Sequence, residues 1–218
     1  MALPPEIMEK PHAPSTEKNR EPILVVLREH FADRREVLEI GSGTGQHAIF
    51  FAAAMPHLSW QTSDCPDNLS GVAAWLAEAA LANTPPPLEF DVFAAWPKRR
   101  YDAIFSANTL HIMPWAAVER LFAGLPDLLS AGAKVAIYGP FNYGGRYTSD
   151  SNAAFDAGLR ERAPHQGIRG FESVNELAVK AGLELIEDRA MPSNNRCLVW
   201  QSTAANCPEQ HVVTSRPQ

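Results

Sequence analysis

The segment Glu39-Ile40-Gly41-Ser42-Gly43-Thr44-Gly45-Gln46 places three glycines at alternate positions. Glycine at this spacing lets a chain turn sharply and lets a ligand approach bare backbone. Two ligand classes use such turns. A dinucleotide site reads G-x-G-x-x-G and sets a pyrophosphate on a helix N-terminus. Here the third glycine comes one residue early, Gln46 takes the sixth place, and Glu39 stands two residues before Gly41. A carboxylate at a strand end, or backbone carbonyls, offers an acceptor to an ammonium. S-adenosylmethionine (SAM) carries an ammonium and no phosphate, so the spacing favours SAM over a dinucleotide. Glu39, Gly41, Ser42, Gly43, Gly45 and His47 are therefore the first candidate cofactor contacts. A glycine-rich turn alone is a weak signal, so the residues downstream matter.

Asp64 lies 23 positions after Gly41, at the end of the next apolar segment. An acidic residue there can accept hydrogen bonds from both hydroxyls of a ribose; as a bare turn or helix-cap residue it would do neither. Asp91 and Val92 follow the third apolar segment, where an adenine contact and an ordinary turn are both open. Asn108 closes the fourth, with His111 just after it. The carboxyl ends of strands are where open α/β sheets bind ligands. Asn108 is a candidate for cofactor and reacting group alike. His111 reads as a base, a substrate contact or a packed loop histidine.

Further polar residues follow at Tyr138, Asn142, Tyr143 and Asn195. Arg146, Arg160, Arg162 and Arg169 fall in one stretch. An arginine fork suits a carboxylate or phosphate, so Tyr138, Asn142, Arg160, Arg169 and Asn195 are expected to contact a small and anionic substrate, with His111, Asn108 and Tyr143 at the reacting atoms. The plainer alternative makes Asp156 and Arg160 a helical i,i+4 pair on a wet surface. Arg20, in the N-terminal lead-in, is a candidate clamp for the methionyl carboxylate of SAM or a surface charge. No paired His, Asp or Glu spacing resembles a metal site, and no G-x-S-x-G elbow marks a hydrolase.

These residues need elements to hold them. The patterning predicts a helix over 22–31, a strand over 37–40, a helix over 46–55, a strand over 59–63 and a helix over 69–81. Strands over 88–92 and 102–107, a helix opened by Pro114 and a strand over 134–138 come next. Ser173-Val174-Asn175-Glu176 reads as a capping box for a helix ending at Gly182. Strands over 183–188 and 196–201 close the series. Alternating β and α with short links predicts a parallel sheet covered on both faces. The short loop between the last two strands forces them antiparallel. The expected architecture is α/β: a Rossmann-like class I methyltransferase fold, seven strands, mostly parallel, with an antiparallel terminal hairpin. Residues 1–15 read as a flexible lead-in, 16–202 as one domain and 203–218 as a polar tail.

The 218 residues suffice for one such domain. A net charge of −6, with no basic run longer than Lys98-Arg99-Arg100, argues against a nucleic-acid partner. The apolar stretches are too short for a signal peptide or a membrane span. Three cysteines, Cys65, Cys197 and Cys207, match neither a zinc site nor a disulfide framework. A cytoplasmic protein with a small-molecule partner is expected, as monomer or homodimer.

Asn19-Arg20 with Pro22-Ile23-Leu24, Val37 to Ala48, Trp60-Gln61 with Ser63-Asp64, and Asn108 to Trp115 resemble the methyltransferase-like protein 26 family. Tyr138-Gly139-Pro140, Ser151-Asn152, Phe155-Asp156, Leu159-Arg160, Gly167-Ile168-Arg169 and Pro192 to Asn195 resemble it too. The likeness covers roughly residues 15 to 202 and implies a SAM-binding Rossmann-like domain, with S-adenosylhomocysteine (SAH) as product, without implying a methyl acceptor. Two places depart from the pattern. Gly41-Ser42 stands where Ala-Ser is common, and Thr109-Leu110 stands where Met-Ile is common. The expected activity is in-line methyl transfer driven by positioning. The alternative is a SAM-binding module or regulatory subunit without catalysis of its own.

Overall fold

The computed structural model describes residues 10–203. Its main sheet has seven strands: β1 (Glu36–Ile40), β2 (Ser59–Asp64), β3 (Leu88–Glu89), β4 (Tyr101–Ala107), β5 (Leu129–Gly139), β8 (Leu183–Met191) and β9 (Asn195–Ser202). They run in the order β3-β2-β1-β4-β5-β9-β8. The first five are parallel, and β9 pairs antiparallel with both β5 and β8. This is the expected class I methyltransferase arrangement. The strand order reverses between β1 and β4, which opens a crevice at their carboxyl ends.

Helices α1 (Pro14–His30), α2 (Gln46–Ala54) and α3 (Pro66–Ala79) belong to one face. There Ile23, Val26, Leu27, Phe51 and Trp60 form one buried cluster. Helices α4 (Trp115–Leu128) and α6 (Phe171–Lys180) cover the other, around Phe122, Leu125, Val174 and Trp200. The buried alternation along β1 explains the two layers. Val37 joins the first cluster, while Leu38 and Ile40 join the second. Among the described residues no helix is long and apolar enough to cross a membrane.

Three expectations need correction. Helix α1 begins at Pro14, eight residues earlier than the patterning suggests. Proline is pre-organised for the first helical position, and Pro22 is carried inside the helix at the loss of one backbone bond. Strand β3 stops at Glu89, because Asp91 accepts from the Phe93 and Ala94 amides and turns the chain. The capping box does not form. Helix α6 starts at Phe171, directly after a short strand β7 (Arg169–Gly170) that pairs with β6 (Phe141–Asn142), and Ser173 lies inside its first turn. Of the expected lead-in over 1–15, residues 10–15 are described and hold the start of α1 at Pro14, and residues 1–9 lie outside the described residues. So does 204–218 of the expected tail, whose first residue, Thr203, bonds to Gly182 O.

Helix α5 (Asp150–Arg162) fills the arginine-rich stretch, capped by Ser149, whose hydroxyl accepts the Asn152 amide at 3.1 Å. Asp156 is 1% exposed and anchors this insert. It accepts from the Ile168 amide at 2.5 Å, Tyr147 Oη at 2.9 Å and Arg160 Nε at 2.7 Å. Replacing Asp156 with alanine strands a buried amide. We expect Asp156→Ala to lose about 2–3 kcal/mol, read as a lower urea midpoint at an unchanged m-value. No shift of the midpoint would refute the anchor.

Candidate functional site

The glycine turn joins β1 to α2. Gly41, Gly43 and Gly45 all hold positive φ, at 73°, 58° and 87°. Side chains rarely adopt that region, which accounts for the glycine at each place. The Gly41 and Ser42 amides donate to Ser63 O, both at 3.0 Å, and tie the turn to the end of β2.

Two carboxylates hold the turn from opposite sides. Asp64, at the end of β2, accepts the Gly43 amide at 2.6 Å through Oδ2. Its Oδ1 accepts the Cys65 amide and Asn68 Nδ2, both at 2.8 Å. Glu39 is 2% exposed, and its Oε2 accepts from Trp60 Nε1 and Ser42 Oγ, both at 3.1 Å. Burial pushes the Glu39 carboxyl up to about 7, against the opposing pull of these two donors.

A cavity of about 760 Å³ opens beside the turn at the carboxyl edge of the sheet. Gly41, Ser42, Gly43, His47, Asp64, Asp91, Val92 and Asn108 of the sequence candidates line it. Asn108 sits in the left-handed region at φ 57° and donates its amide to Tyr138 O at 2.9 Å. His47 is buried, stacks on Phe51 with centroids 5.3 Å apart, and binds Asn19 Oδ1 through Nε2 at 2.7 Å. Burial, reinforced by Arg20, lowers the His47 imidazole to about 4.

The other candidates stand outside this lining. Glu39 supports the turn from within the core. Gly45 packs near the Val72 backbone as the N-cap of α2. Arg20 lays its guanidinium over the Phe50 ring, 4.6 Å from the centroid. His111 is buried, meets the Phe155 ring edge-on at 5.4 Å and is lowered to about 4, chiefly by burial. Tyr143 donates to Asp188 Oδ2 at 2.8 Å and stacks on Phe171. Arg160 pairs with Asp156. Arg169 donates to the carbonyls of Leu110, Met113 and His165. Asn195 donates to Tyr138 Oη at 2.9 Å, and Asn142 keeps a buried Oδ1 with no hydrogen-bond partner among the described residues.

Several lining residues went unread in the sequence: Lys10, Pro11, Ala13, Ser15 and Thr16 from the chain before and within α1, Cys65 and Asp67 beside Asp64, and Phe90. The N-terminal group shows no apolar periodicity. The one sequence signal for it is Gly71, a glycine in the middle of a helix, where a Cβ would lie 2.6 Å from Pro11.

The two departures from the family pattern face each other. A Cβ on Gly41 would stand 2.6 Å from Thr109 Oγ1 and 2.7 Å from its Cγ2. Thr109 Oγ1 is held by Ala107 O at 3.1 Å, so the side chain has little freedom to give way. Gly41→Ala should therefore cost about 1–3 kcal/mol, from the positive φ and the collision together. Adding Thr109→Ala should return part of that loss. A double-mutant cycle by denaturant melts tests the contact, and strict additivity would refute it.

Glu39 generates a pH prediction. Its folded value lies above the unfolded one, so the unfolded chain releases the proton first. The stability is present in full below about pH 4.5 and is lost as pH rises through about 7. Relative to Glu39→Gln, the natural chain should lose up to about 1.4 kcal/mol per pH unit between those values. Parallel slopes for the two proteins in urea melts would exclude a buried, protonated Glu39.

A sequence model of the family DUF938, described as a protein of unknown function, matches residues 10–202, and the chain belongs to that family. The fold is similar to that of the S-adenosylmethionine-dependent methyltransferase SibL in its apo form, with a TM-score of 0.74 and 21% identity over 87% of this chain and 56% of that one. An O-methyltransferase family 2 protein from Planctomyces limnophilus, in complex with apigenin, gives 0.75 and 15% over 87% and 58%. PigF with SAH gives 0.70 and 15% over 83% and 61%. The chain thus spans little more than half the length of these proteins, and at such identities the likeness is one of fold.

Proposed function

We propose that this chain binds SAM in the cavity beside the glycine turn and transfers its methyl group to a small molecule. The observation that carries the reading is the charge of the lining. Among the described residues of the lining, three carboxylates, Asp64, Asp67 and Asp91, stand against one ammonium, Lys10, which is itself paired with Glu78. A pyrophosphate in that setting meets repulsion without an arginine or free lysine to offset it. SAM, with an ammonium and a sulfonium against one carboxylate, suits it. The resemblance to the methyltransferase-like protein 26 family and the fold shared with SAM-dependent methyltransferases support the same choice.

In this reading Asp64 spends two acceptor sites on Asn68 and on the backbone of residue 65 and one on Gly43, and a carboxylate has further lone-pair capacity for ribose hydroxyls. Asp91 and Val92, beside the buried Phe90, flank the adenine. The Gly41–Gly43 backbone passes along the methionyl chain, with Asn108 across the crevice. Methyl transfer from a sulfonium expels a neutral thioether, so the protein's work is to align nucleophile, methyl and sulfur and to exclude water. His47 is the one histidine in the lining; held neutral by burial, it offers a lone pair rather than a charge. An acceptor that ionises near neutrality needs no stronger base.

The expected anion preference finds little support in side-chain placement, because Arg160 and Arg169 are both engaged by protein groups. The same placements favour the second reading, a SAM-binding module without chemistry, since His111 and Tyr143 are packed away from the cavity. Release of SAH from SAM in the presence of small-molecule extract fractions separates the two.

Calorimetry with SAM, SAH and NAD(P) side by side tests the cofactor. SAM and SAH should bind and NAD(P) should not. Asp64→Ala should weaken SAH by about tenfold to a hundredfold, the worth of charge-assisted bonds. Binding of NAD(P) alone would overturn the assignment.

A further inference from the structure

His47 lies in the first turn of α2 and lines the cavity. Its Nε2 meets Asn19 Oδ1 at 2.7 Å. An amide oxygen can only accept, so Nε2 carries the ring hydrogen. In a neutral imidazole the lone pair then falls on Nδ1. Nδ1 makes no hydrogen bond among the described residues and opens onto the cavity.

Asn19 is not free to turn over. Its amide nitrogen donates to Tyr138 Oη, which also accepts from Asn195 Nδ2 at 2.9 Å. With that nitrogen committed to Tyr138, the Asn19 oxygen stays on His47. Asn19 and Tyr138 are both buried. The plane of the imidazole is fixed as well, since it stacks on Phe51 and meets Phe105 edge-on at 6.1 Å. The ring thus faces Asn19 and Arg20 of α1, Phe51 of α2 and Phe105 of β4, and of these Arg20 bears the charge. Burial and Arg20 together keep the ring neutral, with its lone pair available.

In the SAM reading the adenine lies by Asp91 and the ribose by Asp64, so the sulfur lies beyond the ribose, along Gly41–Gly43. The other titratable side chains of the described lining belong to the nucleoside end. Asp64, Cys65, Asp67 and Asp91 come at or after the ends of β2 and β3, and Lys10 is held by Trp75 and Glu78 of α3. We propose that His47 Nδ1 stands beside the transferred methyl and receives the proton of the methyl acceptor, and that Asn19 is the positioning residue that aims it. This rests on the reading of the cavity as a SAM site. A lone pair of the acceptor's oxygen forms the bond to the methyl carbon. The carbon–sulfur bond breaks and its electron pair stays on sulfur, giving SAH. The hydroxyl proton passes to Nδ1, and the imidazolium returns it to solvent. A hydroxyl suits this ring better than an amine. Once methylated, a hydroxyl that still holds its proton is far more acidic than an imidazolium lowered to about 4. A methylated ammonium, close to the ~10.4 of lysine, would keep its proton.

Sinefungin tests the placement without any acceptor, because a carbon bearing an amine replaces the methylated sulfur. In calorimetry on the full chain, sinefungin should bind about tenfold more tightly than SAH, as one charge-assisted hydrogen bond to Nδ1 allows. His47→Phe should bring the ratio of the two affinities close to one. Ring-nitrogen NMR of the natural chain should show His47 as one tautomer, with its hydrogen on Nε2, and an Nδ1 signal that moves more with sinefungin than with SAH. Asn19→Leu should mix the tautomers and reduce the preference. If His47→Phe fails to fold, the NMR of the natural chain decides. A preference that survives His47→Phe, or an Nδ1 signal indifferent to sinefungin, overturns the placement. So does equal binding of SAH and sinefungin by the natural chain, which leaves the SAM reading standing. Binding of neither overturns the SAM reading and the placement with it.

Discussion

The glycine turn after β1 stands because two acidic side chains hold it from opposite sides. Three residues with positive φ in five have no intrinsic reason to keep one shape, since glycine loses more freedom on folding than any other residue. Glu39 fixes the turn from the core side through Ser42, and Asp64 fixes it from the cavity side through Gly43. Ser42 also accepts the Ser63 amide, and Ser63 donates back to Glu39 O. The end of β1, the turn and the end of β2 are thereby one hydrogen-bonded unit. The cavity has a fixed floor only as long as that unit stays closed.

The position of Glu39 follows from strand alternation. Val37 and Glu39 point to the face covered by α1 and α2, and Leu38 and Ile40 to the other. A carboxyl placed at a core-facing position must be neutral or well bonded. Burial raises its proton affinity, and Trp60 and Ser42 supply the donors that limit the cost. The acid that reads in the sequence as a candidate ligand contact bonds Ser42 and Trp60 in the structure and supports the glycine turn. The two roles share one sequence signature, because both require a carboxylate two residues before the first glycine.

The parallel strands, the antiparallel terminal hairpin and the position of the candidates at the carboxyl ends of strands were legible in the sequence, since period and connection length determine them locally. Gly41, Ser42, Gly43, Asp64, Asp91 and Asn108 line one cavity because each lies at or just after the carboxyl end of a strand. What was hidden depends on contacts distant in sequence. Pro11 meets Gly71 and Ala13 meets Gln46, and neither pair leaves a periodic trace. The arginines were misleading for the same reason. Arg169 looks like a free cation in the sequence, but the loop between β4 and α4 presents carbonyls, of Leu110 and Met113, that its guanidinium gathers.

That use of Arg169 bears on how the crevice keeps its shape. The chain leaves β4 at Asn108, whose positive φ throws it across the cavity mouth. The next residues carry no regular backbone ladder of their own, so their carbonyls need other donors. Arg169 bonds two of them from the β7 side, and the Gly167 amide bonds the carbonyl of His111 at 2.9 Å. Asp156 in turn fixes Ile168, midway between those two donors. The insert between β5 and α6 therefore braces the wall that carries Asn108, Thr109, Ile112 and Met113. Asp156 and Arg169 are spent on stiffness at that wall. A chain of hydrogen bonds through Asn195, Tyr138, Asn19 and His47 runs from the hairpin turn to the cavity.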